Sequence, residues 1–368
     1  MRTLRRWPLC CPRSSAVGLL LQPGAISSAM EHARKRYGFL RMPPRHSGCT
    51  VGVTIAERPR MSWRRILFVV ENPNFVGPRV LRKLAELARG CDAELELYQP
   101  AFEWGMQKGG IGSVASDIET RETLERRRAE LDHVTDALHA EDVRVRSGVS
   151  CEKPTCENIL RHVLESRPDL VVIQSRPHSA IARLVLSHTD FKLIEMCPCP
   201  LLLMKTEKAY LDACIVAAVD PMHTHEKPPL LDEVIVDAAA SISAALGGTL
   251  HIIHALAPRE LAAAPGESHR ASEVAYAELR SAYRERAQRR VDELARRAKV
   301  HDRHIHMAWG DPAEVVRNLA ESLHASIVVM GAVSRSALER VVVGHTAERV
   351  LDTLDSDVLV VKPPGFRT

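Results

Sequence analysis

The stretch Val328–Leu351, VVMGAVSRSALERVVVGHTAERVL, has a counterpart of equal length earlier in the chain, Val171–Ile194, VVIQSRPHSAIARLVLSHTDFKLI. Each opens on an apolar, β-branched run and leads into a short helical pattern. The later copy carries Gly331 and Gly344; the earlier one carries Gln174 and Ser187 in their places. Glycine lets another group approach the main chain without a Cβ in the way. A segment present twice, with its glycines kept once, raises two expectations: a duplicated domain, and copies that no longer do the same thing.

Working outward, the duplication extends over the chain from residue 62, at a period of roughly 150 residues, longer than any solenoid unit. Each half opens on a buried-type strand that runs into an acidic residue and proline, RRILFVVENP at 64–73 and ACIVAAVDP at 213–221. An amphipathic helix closed by glycine follows in each, GPRVLRKLAELARGC and PPLLDEVIVDAAASISAALGG. Then come a second strand (AELELYQPA, GTLHIIHAL), a long charged helix (about 117–140, about 268–299), and a third strand (VRVRSGV, DRHIHMAWG). A third helix leads to strand four (DLVVIQS, SIVVMGA), the segment quoted above, and a last strand (CPLLLMK, DVLVVK). Strands alternating with helices at this pace imply right-handed β-α-β units and parallel sheets covered on both faces. The expected fold class is α/β: two tandem, open, parallel five-stranded sheets with helices on both faces, over 62–206 and 208–364.

The 368 residues are 45% apolar and 4% aromatic, and carry a net charge of +4. Residues 1–60 hold eleven Lys/Arg against two Glu, so the rest balances to 4 − 9 = −5. That mildly acidic body argues against nucleic acid as the main partner. No apolar run approaches the ~18 residues of a membrane span, so a soluble, cytoplasmic protein is expected. Residues 1–30 show a basic start and a short apolar stretch, and residues 31–60 show neither helical nor strand periodicity. They read as a disordered extension, or as sequence upstream of a true start at Met61, with targeting the weaker option. Nine cysteines at odd count, without a paired CxxC, fit a reducing compartment better than a disulfide framework. Cys197 and Cys199 in CPCP have no second pair nearby, and small residues at the mouth of a strand is the preferred reading.

The chemistry gathers in the second half. Ligands of open α/β sheets bind beyond the carboxyl ends of the strands. Gly331 ends strand four there, and Gly344 precedes Thr346, which reads as a helix N-cap. The free N–H groups of His345, Thr346 and Ala347, with the helix dipole, favour a phosphate. Arg335 and Arg340 can add charge. Asp220, at the end of the half's first strand, lies at the same edge and can bond an adenine or a ribose.

This segment resembles the nucleotide-binding loop of the universal stress proteins: Gly, two residues, Gly, nine residues, Gly, then Ser or Thr. Gly331 matches the first glycine and Gly344 the third; Ser334 replaces the middle one, and His345 stands where Ser or Thr is expected. Asp220 matches the acidic residue that contacts adenine in ATP-binding members. GHTAERVL after VVMGAVSRSALERVVV resembles the tandem, E-type members most. The resemblance implies a non-enzymatic stress-adaptation protein, with ATP as the implied ligand of the second half at Asp220, Gly331, Ser334, Gly344, His345 and Thr346. It implies that the last strands of the two halves pair within the chain, and leaves a homodimer open. In the first half Gln174, Pro177 and Ser187 fill the glycine places and Glu71 replaces Asp220, so that half is expected to have lost the site. Two other readings stay open: an ATP-hydrolysing sensor acting through the second half, and a carrier of a lipid-like molecule.

No metal site is expected. In HDRHIH, His304 and His306 read as one polar strand face with His301 outside the run, and His223 and His225 read as loop residues near the cleft. The chain has no G-x-S-x-G elbow, no Walker loop and no GxGxxG after its first strand, which lowers the odds of catalysis.

Overall fold

The computed structural model describes residues 61–100, 117–150, 155–175, 187–222, 230–257, 271–331, 333–334 and 342–366. The expectations for 1–60, and for Pro177, His223, His225, Arg335 and Arg340, lie outside the described residues. In the first half β1 (Arg65–Val69), β2 (Glu94–Pro100), β3 (Arg144–Ser150), β4 (Leu170–Gln174) and β5 (Leu201–Met204) alternate with α1 (Pro78–Gly90), α2 (Asp117–His139), α3 (Thr155–Ser166) and α4 (His188–Met196). The second half repeats the order. Its main strands are β6 (Cys214–Ala218), β7 (Thr249–Leu256), β8 (Ile305–Trp309), β9 (Ile327–Gly331) and β12 (Asp357–Val361), and its helices are α5 (Leu231–Ala245), α6 (Ala271–Ala298), α7 (Pro312–Ser322) and α8 (His345–Thr353). A small antiparallel ribbon, β10 (Val333–Ser334) with β11 (Val342–Val343), stands between β9 and α8.

Each half has the strand order 3-2-1-4-5, all parallel, as the repeat requires. The central strands are apolar at every position: LVVI of β4, LLLM of β5 and IVVM of β9 are all buried, the signature of strands covered on both faces. Two apolar clusters, one on each side of the sheet, run continuously from the first half into the second.

The two five-stranded sheets are not separate. β5 and β12 pair antiparallel, with Leu202 opposite Leu359 at the centre, and give one ten-stranded sheet. Both strands are wholly buried and short, and an unpaired edge of that kind would leave a row of backbone donors and acceptors without partners. α1 also differs from its reading at the sequence level. Gly90 is its last helical residue, and the left-handed turn falls on Asp92, φ 48°. Gly90 has a reason outside its own helix: a Cβ there would sit 2.3 Å from the carbonyl oxygen of Ala245, at the end of α5 in the other half.

Reciprocal lysines cross the same seam. At the end of β5, Lys205 Nζ donates to the carbonyls of Leu351, at 2.6 Å, and Leu354, at the end of α8. At the end of β12, Lys362 Nζ donates to the carbonyls of Ile194 and Glu195, the latter at 3.1 Å, at the end of α4. Each half thus caps the last helix of the other, where carbonyls lack intrahelical partners and the dipole favours a cation. One charge cluster breaks the symmetry. Asp357, wholly buried, meets Lys83 of α1 at 2.5 Å, accepts from Tyr210 Oη at 2.6 Å, and accepts the backbone N–H of Lys205 and Thr206 at 2.9 and 3.0 Å.

Candidate functional site

The carboxyl edge of the second sheet brings the predicted residues to one place, but not all in the predicted roles. Ala217 of β6 lies opposite Val329 of β9, so Asp220 follows its strand at about the level of Gly331. Asp220 is about half exposed. Its backbone N–H donates to Asp232 Oδ1 at 3.0 Å, in the first turn of α5, and its Oδ1 lies 4.0 Å from Nδ1 of the buried His254. That Nδ1 is also 3.0 Å from the Val219 carbonyl, an acceptor only, so the Nδ1 carries the proton. His254 thereby fixes the chain on which Asp220 is mounted.

Gly331 ends β9 as expected, yet its freedom from a Cβ serves packing. A Cβ there would lie 2.7 Å from Cδ2 and 3.1 Å from Cγ of Leu231, the buried first residue of α5. Part of the space the sequence left open over this glycine is therefore filled by a side chain. Ser334 pairs with Val342 in the ribbon, which leads to Gly344. The expectation that Thr346 caps the last helix is corrected: Gly344 is the N-cap, with extended backbone (φ −68°, ψ 141°), and His345 and Thr346 are already helical. Glycine is accepted at an N-cap nearly as well as threonine, so the helix begins two residues earlier. The first intrahelical bond is Glu348 N–H to the Gly344 carbonyl. The N–H groups of His345, Thr346 and Ala347 therefore lie ahead of the ladder, and no side chain of Gly344 can serve them.

The first half handles the same position in the opposite way. Ser187 is the N-cap of α4; its Oγ accepts the Asp190 N–H at 3.1 Å, and Asp190 Oδ2 accepts the Ser187 N–H at 2.8 Å. This reciprocal capping box satisfies two of the helix's open donors and puts a buried carboxylate at the positive end of the dipole. An anion finds its place already taken. The sequence reading had Gln174, Pro177 and Ser187 filling the glycine places; the S-x-x-D spacing of SHTD was the legible signal for the capping box. Leu231, Asp232 and His254 carried no such signal, because their contacts come from strands and helices distant in sequence.

The histidine run gains a member. His251 of β7 lies 2.9 Å through Nδ1 from Nε2 of His306, and its ring lies tilted 4.5 Å from that of His304, which sits in a 3-10 turn before β8 rather than in the strand. Burial, then the neighbouring imidazoles, push His251 down to about 4; burial also lowers His304 and His306. Of the three, His251 and His306 share a hydrogen bond, and His304 accepts from Arg303 Nε at 3.1 Å. Among the described residues no three His, Cys, Asp or Glu are arranged to hold a metal ion, and no helix is long and apolar enough to cross a membrane.

Three comparisons bear on this arrangement. The sequence profile of the universal stress protein family matches residues 62–205 and again 215–362. Universal stress protein E of Escherichia coli (strain K12) is 24% identical over 318 residues, covering 84% of this chain and 97% of that protein. The universal stress protein E homolog of Haemophilus influenzae is 22% identical over 314 residues, covering 82% and 98%. Among solved structures, a universal stress protein from Archaeoglobus fulgidus superposes with a TM-score of 0.57 at 16% identity, covering 81% of this chain and 98% of that one. A protein of Pseudomonas aeruginosa PAO1, described as functionally unknown, superposes with a TM-score of 0.63 at 24% identity, covering 83% and 94%. At these identities the structural likeness speaks to the fold alone.

Proposed function

The chain belongs to the universal stress protein family as a tandem, E-type member, and from that premise we propose that it serves stress adaptation by binding a nucleotide in its second half, without catalysing a reaction. The observation that carries the proposal is the contrast between two equivalent helix ends. In the first half, Ser187 and Asp190 close the N-terminus of α4 with their own side chains. In the second, Gly344 and Ala347 occupy those positions and leave the donors of α8 to an outside acceptor. Asp220, half exposed at the same sheet edge, supplies an acceptor suited to a base or ribose. With Leu231 over Gly331, the strand end contributes packing, and phosphate recognition falls to the helix.

Calorimetric titration of the full-length protein with ATP tests this. Installing the first half's box in the second, as Gly344→Ser with Ala347→Asp, should keep the fold and abolish binding. The Ser187→Ala variant should bind as the wild type does. No binding to the wild type, or equal binding to the double variant, would overturn the reading. Phosphate release should stay at the buffer rate throughout, since none of Asp220, Ser334, Gly344, His345 and Thr346 is assigned a catalytic role.

A further inference from the structure

The CPCP segment, residues 197–200, joins α4 to β5. Cys197 is the C-cap of α4, its N–H bonded to the Leu193 carbonyl, and Cys199 stands two residues on, before β5. The two sulfurs face each other at 3.6 Å. Cys197 is wholly buried, and Cys199 is half-buried. The second half provides an internal control: Leu354 caps α8 in the same conformation, and Ser356 stands where Cys199 would be. The fold therefore does not require thiols at these positions. The Cys199 thiol, donating to Cys197, holds the latter's pKa below the ordinary thiol value against the effect of burial, and the Lys362 ammonium adds to this. The same contact pushes Cys199 up. A shared proton, a nearby cation and partial access are the setting in which thiols react.

We propose that Cys197 and Cys199 form a redox-active dithiol, converted by hydrogen peroxide to an intramolecular disulfide. The balance is simple. Two S–H bonds and the O–O bond break; one S–S and two O–H bonds form. Two electrons pass from sulfur to peroxide oxygen, and two waters leave. Cys199, the more accessible member, attacks the peroxide as the thiolate, its proton passing by way of the Cys197 sulfur to the departing hydroxide, and becomes the sulfenic acid with release of one water. Cys197 resolves it, displacing the second water, as the sulfurs close from 3.6 Å to about 2.0 Å. A thiol reductant reverses the step. Lys362, which comes from the other half and holds the Ile194 and Glu195 carbonyls beside Cys197, ties this chemistry to the seam.

The test uses the full-length protein, treated with a small excess of peroxide, alkylated with N-ethylmaleimide under denaturing conditions and digested with trypsin. Both cysteines, and no others, fall in the peptide 193–205. That peptide should lose two hydrogens and escape alkylation after peroxide, and take two alkyl groups after dithiothreitol. Cys197→Ser should instead leave Cys199 as an oxygenated or alkylated thiol, and Lys362→Met should slow disulfide formation several-fold at neutral pH. A wild-type peptide still doubly alkylated after peroxide, or cysteines 197 and 199 linked to other cysteines instead of to each other, would overturn the proposal.

Discussion

Gly331 shows how a residue placed by sequence can have a structural reason that the sequence does not display. It ends β9 at the ligand edge of the sheet, but its missing Cβ makes room for Leu231. Alanine at 331 would overpack a buried contact and should cost about 1–3 kcal/mol in chemical denaturation. The decisive measurement is the double-mutant cycle. In a Leu231→Ala background the cost of Gly331→Ala should fall below ~0.5 kcal/mol, because the group it strikes is gone. An equal cost in both backgrounds would mean that backbone freedom, not Leu231, is the reason for the glycine. Asp220 was legible as the acid at the end of a strand. The hydrogen bond from its N–H to Asp232 and the His254 beneath it were not, since neither partner is near it in sequence.

At the scale of elements, the two short helices that follow the duplicated segment divide the roles of the halves. Removing the Ser187 cap should destabilise the protein by about 1 kcal/mol, the usual worth of a Ser N-cap. Gly344→Ser should change stability by only a few tenths, since glycine is already tolerated there. If both substitutions cost the same, the box is not what closes the first helix. The opposite ends of these helices make a pH prediction. Burial lowers Lys205 and Lys362 from 10.5 to about 8. Between those values the unfolded chain keeps protons that the folded chain has released, so stability should rise with pH across that window. Tyr210, raised by burial beside Asp357, opposes this only where tyrosine ionises in the unfolded chain, near pH 10. Denaturation midpoints of the wild type should therefore climb from pH 8 to about 9.5 relative to Lys205→Met/Lys362→Met. Parallel curves for the two proteins would contradict it.

At the scale of the molecule, the halves act as one body because the sheet is continuous through β5 and β12 and because Asp357 of the second half meets Lys83 of the first. Asp357→Ala leaves Lys83 buried without its counter-charge and should cost about 3–5 kcal/mol, with loss of a single calorimetric transition in favour of two. Wild-type stability in that variant would remove Asp357 from its place at the seam. With both last strands engaged, a second copy of the chain would have to use another surface. The duplication, the α/β class, the alternation of strands and helices and the half that kept its glycines were all legible in the sequence, because periodicity and punctuation are local properties of the chain. What those glycines face, how Lys205 and Lys362 each cap the other half, and that Lys362 holds the carbonyls just before Cys197 came only with the folded chain. The lysine caps, for instance, join groups 146 to 168 residues apart, and packing and desolvation at that range leave no pattern in a linear sequence.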